Sequence, residues 1–146
     1  MSLPPLTADY IELRATAADW RSAVGIAGDV LVRTGSTTAA YGGEMVRMIE
    51  EHGPYVVIAN GLALAHARPG PEVLNNGLAI VTLAEPVSFG HPYNDPVRVI
   101  LGLAIVAPDQ HLAAIATLAN VFNDSTAIAD IAAATSVDEV LRIMGA

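Results

Sequence analysis

Val97-Arg98-Val99-Ile100-Leu101-Gly102-Leu103-Ala104-Ile105-Val106 holds one polar side chain, and Gly77-Leu78-Ala79-Ile80-Val81-Thr82-Leu83 is nearly as apolar. Short apolar runs of this kind, bounded by Gly, Pro and Asn, read as strands. A strand that is apolar toward both sides has a layer of protein on each face, so these two segments are expected at the centre of a helix-covered sheet. Working outward, Tyr55 to Ala59 and Leu62 to His66 supply two further strands, and Tyr10 to Ala15 a short edge strand. Trp20, Ala23, Val24, Ala27, Val30 and Leu31 recur at helical spacing before a stop at Gly35. Thr16-Ala17-Ala18-Asp19 has capping-box spacing, which predicts the start of that helix there. A second helix is predicted from Thr38 to His52, with Met45, Val46, Met48 and Ile49 inward and Gly53-Pro54 ending it. Pro108-Asp109-Gln110-His111 opens a helix through Phe122, with proline early and an acid in the first turn. Two shorter helices follow over 124–134 and 136–144, the latter from the capping box Ser136-Val137-Asp138-Glu139. The expected fold class is α/β: one domain over residues 8–146, a mixed central sheet with helices on both faces. Residues 1–7, with Pro4 and Pro5, are expected to form a flexible arm.

Composition narrows the function. The 146 residues are 53% hydrophobic and 15% charged, enough apolar material for one sizeable core. The longest apolar runs fall short of the roughly 20 residues a membrane span needs, and no secretory leader pattern opens the chain, so a cytosolic protein without membrane insertion is expected. A net charge of −8 repels nucleic-acid phosphate and anionic membranes and favours a basic protein partner. All seven cations are arginines, which we read as a compositional habit of the source genome. The absence of cysteine excludes disulfides, thiolate nucleophiles and thiolate-bound zinc.

The chemistry concentrates at the end of Gly61-Leu62-Ala63-Leu64-Ala65-His66-Ala67-Arg68-Pro69, where one histidine and one arginine close an uncharged stretch. In an extended chain, residues two apart face the same side, so His66 and Arg68 can aim at one spot. A neutral imidazole is a nucleophile near physiological pH, and a guanidinium grips phosphate through paired hydrogen bonds. The pair suggests phosphoryl chemistry on a histidine. A histidine simply packed at a strand end is the plainer alternative, as a surface ion pair with Glu72 is for Arg68. His111 falls in a helix first turn, where unpaired N–H groups favour an anion.

Gly53-Pro54-Tyr55, Gly61-Leu62-Ala63, His66-Ala67-Arg68-Pro69, Phe89-Gly90-His91-Pro92 and Asn94-Asp95-Pro96-Val97 occur in this order. In combination the chain resembles the sugar-specific IIA components of the phosphotransferase system (PTS). Within the mannitol/fructose superfamily it is most similar to the ascorbate-type branch, from about Ala15 to Met144. The resemblance implies a three-layer sandwich and a phosphotransferase activity. It implies that His66 is the phosphorylated residue and that His111 supports the phosphoryl group by hydrogen bonding; Arg68 is read from its position as the phosphate-binding residue. It implies a histidine-containing phosphocarrier protein as donor, and as acceptor a cysteine of a separate IIB component linked to a membrane IIC component. No cofactor is implied. Ala65 stands where the family usually has proline. Asn60 stands where the mannitol branch commonly has a carboxylate, which favours the ascorbate-like branch.

The remaining histidines have simpler readings. His91, Asn94 and Asp95 lie in a loop of ordinary turn chemistry and are read as scaffold first. His52 reads as a polar group at a helix C-terminus. His66, His91 and His111 lack the short ligand spacing of a metal site, and no metal is expected. No nucleophile elbow, Walker loop or dinucleotide fingerprint is present. A regulatory module, in which phosphorylation of His66 controls a protein partner, is the alternative to sugar transport. The sequence leaves both a monomer and a homodimer open.

Overall fold

The structure, a computed structural model, describes residues 3–145. A turn of 3-10 helix at Ala8–Tyr10 leads into β1 (Ile11–Ala15), followed by α1 (Trp20–Arg33) and α2 (Ala40–His52). Three strands come next in sequence, β2 (Val57–Ala59), β3 (Leu62–His66) and β4 (Gly77–Val87), and β5 (Val97–Ala104) completes the set. The chain ends in α3 (Pro108–Val121), α4 (Ser125–Ala133) and α5 (Val137–Ile143). The five strands form one mixed sheet in the order β1-β4-β5-β3-β2. β1 runs parallel to β4 and β3 parallel to β5, while β4 and β5 pair antiparallel at the centre.

The two strands that are apolar on both sides occupy the interior of the sheet, as their composition predicts. Alternation along them separates two cores. Ala63, Ala65, Ala79, Val81, Ile100 and Ala104 pack with α1 and α2, whereas Leu62, Leu64, Leu78, Ile80, Val99, Leu101 and Leu103 pack with α3, α4 and α5. The first face is built from small residues, so α1 lies close to it: a Cβ on Gly102 would come 3.2 Å from the Cβ of Ala27. The same closeness joins the two helices of that layer, where a Cβ on Gly28 would sit 2.9 Å from the Cα of Gly42. The second face carries the leucines, each contributing roughly 1.5–3 kcal/mol by leaving water. Leu3 and Leu6 of the amino-terminal segment pack against this second core, and Pro4 is buried.

Helix starts follow the local chemistry, though α1 and α2 begin later than their predicted starts, α2 at Ala40 instead of Thr38. The carboxylate of Asp19 accepts the Ser22 N–H at 2.8 Å and caps α1, so the helix begins at Trp20 rather than at Thr16. Asp19 is itself a favoured capping residue, and it supersedes the threonine three positions earlier. Ser136 caps α5 through the Glu139 N–H, as its motif predicts. Tyr41 joins Met45 and Ile49 as the buried face of α2. Among the described residues no single helix is long and apolar enough to cross a membrane.

Candidate functional site

His66 is the last residue of β3 and shares its parity with Leu62 and Leu64, so its ring emerges on the face covered by α3. Its Nδ1 lies 2.9 Å from the carbonyl oxygen of Leu64. A carbonyl only accepts, so Nδ1 carries the proton and Nε2 of the neutral ring keeps its lone pair. Burial holds the His66 pKa below the usual 6.5, although the bond to Leu64 acts in the opposite direction. The ring packs edge-on against Tyr55, with centroids 5.7 Å apart at 88°.

His111 enters from the first turn of α3, where its backbone N–H bonds to Ala107. It is 9% exposed, and its ring lies 5.5 Å from that of His66. Burial also lowers its pKa, and the neighbouring His66 lowers it further. Two imidazoles this close resist charging together, so near neutral pH both are uncharged. Nδ1 of His111 is buried without a hydrogen-bond partner. The fold thus fixes the tautomer of His66 and leaves that of His111 unfixed, as suits a group that changes partners.

Both rings line a cleft of about 420 Å³ together with Arg68, Tyr55, His52 and the exposed Leu112. Arg68 therefore opens on the same cleft as His66, as the two-residue spacing predicts. Among the described residues no carboxylate lies within ion-pair distance of Arg68, Glu72 included. A cationic fork, a helix N-terminus and two neutral imidazoles converge on one concave surface. That combination suits a small oxyanion.

Other residues weighed from sequence lie elsewhere. His91, Asn94 and Asp95 occupy the loop before β5, at the opposite end of the sheet from His66, so the three histidines do not converge. Asp95 organises this loop by accepting the N–H groups of Phe89, Gly90 and His91 and the hydroxyl of Ser88. Burial acts to raise its pKa, but these bonds outweigh it and hold the carboxyl below its ordinary value. Asn60 precedes β3 and borders a separate depression with Asn94 and Arg98. The group that orients His66 is instead the Leu64 carbonyl. The sequence reading did not assign Tyr55 or His52 to the site. Their signal was faint: both flank the Gly53-Pro54 turn, which swings the end of α2 toward the end of β3.

Comparison with known proteins identifies the family. Residues 5–146 match the family model of the phosphoenolpyruvate-dependent sugar phosphotransferase system, EIIA 2. The ascorbate-specific PTS system EIIA component of Escherichia coli (strain K12) is 36% identical over 135 residues, which is 92% of this chain and 88% of that protein. The crystal structure of IIA mannitol from Escherichia coli superposes with a TM-score of 0.85 at 30% identity, covering 96% of this chain and 99% of that one. The solved complex of enzyme IIA mannitol with phosphorylated enzyme IIB mannitol from Escherichia coli matches with a TM-score of 0.86 at 28% identity, covering 97% of each chain. With its mixed five-stranded sheet, its helical layers and a histidine pair at the carboxyl ends of β3 and β5, this chain belongs to the EIIA 2 family of the phosphoenolpyruvate-dependent sugar phosphotransferase system.

Proposed function

We propose that the chain is a cytosolic phosphoryl carrier that accepts phosphate on Nε2 of His66 from the phosphohistidine of a small phosphocarrier protein. It then passes the phosphate to a cysteine of a separate IIB component. The observation that carries this reading is the Nδ1–H bond of His66 to Leu64, because it leaves Nε2 as the ring atom with a free lone pair. In the first step that lone pair attacks phosphorus as the bond to the donor's ring nitrogen breaks, and the donor recovers its electron pair. The proton stays on Nδ1 of His66, held by the Leu64 carbonyl, so the phosphorylated ring is formally cationic. Such a ring departs as neutral imidazole, a good leaving group. In the second step an incoming thiolate attacks phosphorus, and Nε2 regains its lone pair.

Little else in the way of covalent chemistry is required, so the protein's contribution is alignment and charge stabilisation. Arg68 and His111, which line the same cleft as His66, are the groups we assign to the phosphoryl oxygens. The dipole of α3 adds roughly 0.3–1 kcal/mol, too little to hold the group without them. The IIB acceptor is supported by the solved complex of the mannitol relative. The exposed Leu112 and half-exposed Tyr55 beside the cleft fit alternating contact with donor and acceptor.

The test is transfer of radiolabelled phosphate from phosphoenolpyruvate through enzyme I and the phosphocarrier. Wild type is expected to acquire acid-labile label and His66→Ala none. Equal labelling of the two proteins refutes the assignment.

A further inference from the structure

Tyr41 is buried at 1% exposure on the inward face of α2, and its hydroxyl does something that core packing does not require. It donates to the carbonyl of Leu103 at 2.7 Å and accepts from the N–H of Ala67 at 3.1 Å. Leu103 is the β5 residue paired with His66, and Ala67 is the residue after it. In a parallel ladder, the N–H of the residue following His66 would bond directly to the carbonyl of its partner Leu103. The register supports that phase: the Leu64 N–H turns the other way, to Val56, and the Leu64 carbonyl takes Nδ1 of His66. The phenol oxygen therefore sits at the last rung of the β3–β5 ladder, relaying between its two sides through the Ala67 N–H and the Leu103 carbonyl, with the Ala67 carbonyl also 3.3 Å away.

From this geometry we infer that Tyr41 is a positioning residue for phosphoryl acceptance, tying the ends of β3 and β5 together in a fixed relation. The inference rests on the assignment of His66 as the acceptor. His66 is tied by its ring to the backbone of β3, so any movement of that strand end carries Nε2 with it. His111 follows β5 through the short connection into α3. The separation of the two rings is thus set by the gap between these strand ends, and a phosphoryl group must fit within their joint reach. Without the hydroxyl, the Leu103 carbonyl and the Ala67 N–H each lose a buried partner beside the reacting ring, and the strand ends lose their common tie to α2. Burial pushes the Tyr41 pKa up to about 12, with the Ala67 backbone opposing, so the phenol remains a donor throughout the physiological range.

Tyr41→Phe keeps the ring that fills the core and removes only the relay. Single-turnover phosphorylation by the phosphocarrier is expected to slow roughly ten- to a hundredfold in the maximal rate, the range attached to an ångström-scale misplacement. The donor concentration for half-maximal rate is expected to change less than about twofold, since the relay stays inside. Ile49→Val, on the same helix and away from the strand ends, controls for general loosening and is expected to keep the wild-type rate. His66→Ala separates the two ideas: if it still labels, the acceptor assignment falls. If it is inactive while Tyr41→Phe matches wild type, the positioning role alone is overturned. A slow Tyr41→Phe accompanied by an equally slow Ile49→Val also overturns it. Should Tyr41→Phe not fold, the wild-type Ala67 amide resonance and the Tyr41 hydroxyl proton supply the readout. A shift of both on phosphorylation supports the inference, and indifference of both refutes it.

Discussion

At one end of the sheet Nδ1 of His66 gives its proton to the Leu64 carbonyl; at the other, Nδ1 of His91 receives the N–H groups of Tyr93 and Asn94 at 3.1 Å each. The same ring is wired in opposite senses. His66 is left with a bare Nε2 in a cleft beside Arg68 and His111, whereas His91 spends its lone pair on its own loop. The two sites are separated by the length of β5, about 25 Å for eight extended residues. The surroundings diverge in the same way. Around His66 the described residues leave a guanidinium without an ion-pair partner and a buried ring nitrogen unbonded; around His91 the Asp95 carboxylate takes up three backbone N–H groups. The difference teaches that unspent hydrogen-bonding capacity, more than residue type, marks the end of the sheet suited to chemistry.

The contrast is broken most directly by His111→Ala. If this ring stabilises the transferring charge, phosphoryl acceptance should slow by roughly 10²–10³-fold, the usual penalty for removing one preorganised donor. Stopped-flow or quench kinetics would show it, and an unchanged rate would return His111 to a packing role. Asp95→Ala should do the reverse: about 2 kcal/mol of stability lost in urea denaturation, with phosphoryl acceptance within twofold of wild type. A large loss of rate would mean that the two ends communicate. Arg68→Ala is expected to slow acceptance about tenfold and Arg68→Lys less, because the guanidinium contributes bidentate contact as well as charge.

The gentlest test is pH. Both site histidines have folded pKa values below 6.5, so the neutral, reactive forms dominate above that value. Acceptance should be flat above about pH 6.5 and decline only below it, with apparent constants that belong to the pair. The stability linkage runs the same way. A histidine whose pKa is depressed by folding binds protons more readily when unfolded, so its contribution is intact above 6.5 and is lost as pH falls through the folded value. His91→Ala should leave the rate profile in place. A rate that rose on acidification would contradict the neutral nucleophile.

Much of the fold was legible because β4 and β5 lack a polar side, and few arrangements other than a covered central sheet satisfy that. The two-residue spacing of His66 and Arg68 likewise aimed both side chains at one spot before any coordinates, and both line the same cleft. Boundaries were less legible where two signals competed, as with Thr16 and Asp19, which both offer a helix cap. β4 runs on through Pro86 to Val87, beyond the apolar run, with a register shift that periodicity does not reveal. The left-handed backbone of Arg14, whose N–H bonds to the buried Thr82 hydroxyl, had no local signal. The role of Tyr41 was hidden for a related reason. In sequence it is one more inward residue of a helix, and its partners lie 26 and 62 positions away.

The threading of the sheet also governs when the molecule can form during synthesis. β1 leaves the ribosome first, yet Ile11 rests against Ile80, and β3 must wait for β5 to supply its parallel neighbour. The central strand is thus the last to be translated, and the amino-terminal half has no finished sheet on which to settle until Ala104 emerges. Such distant pairings delay collapse into the native form. A nascent chain arrested before that point would hold two amphipathic helices and orphaned strand edges, an invitation to chaperones, which makes the emergence of β5 the commitment step in making this protein.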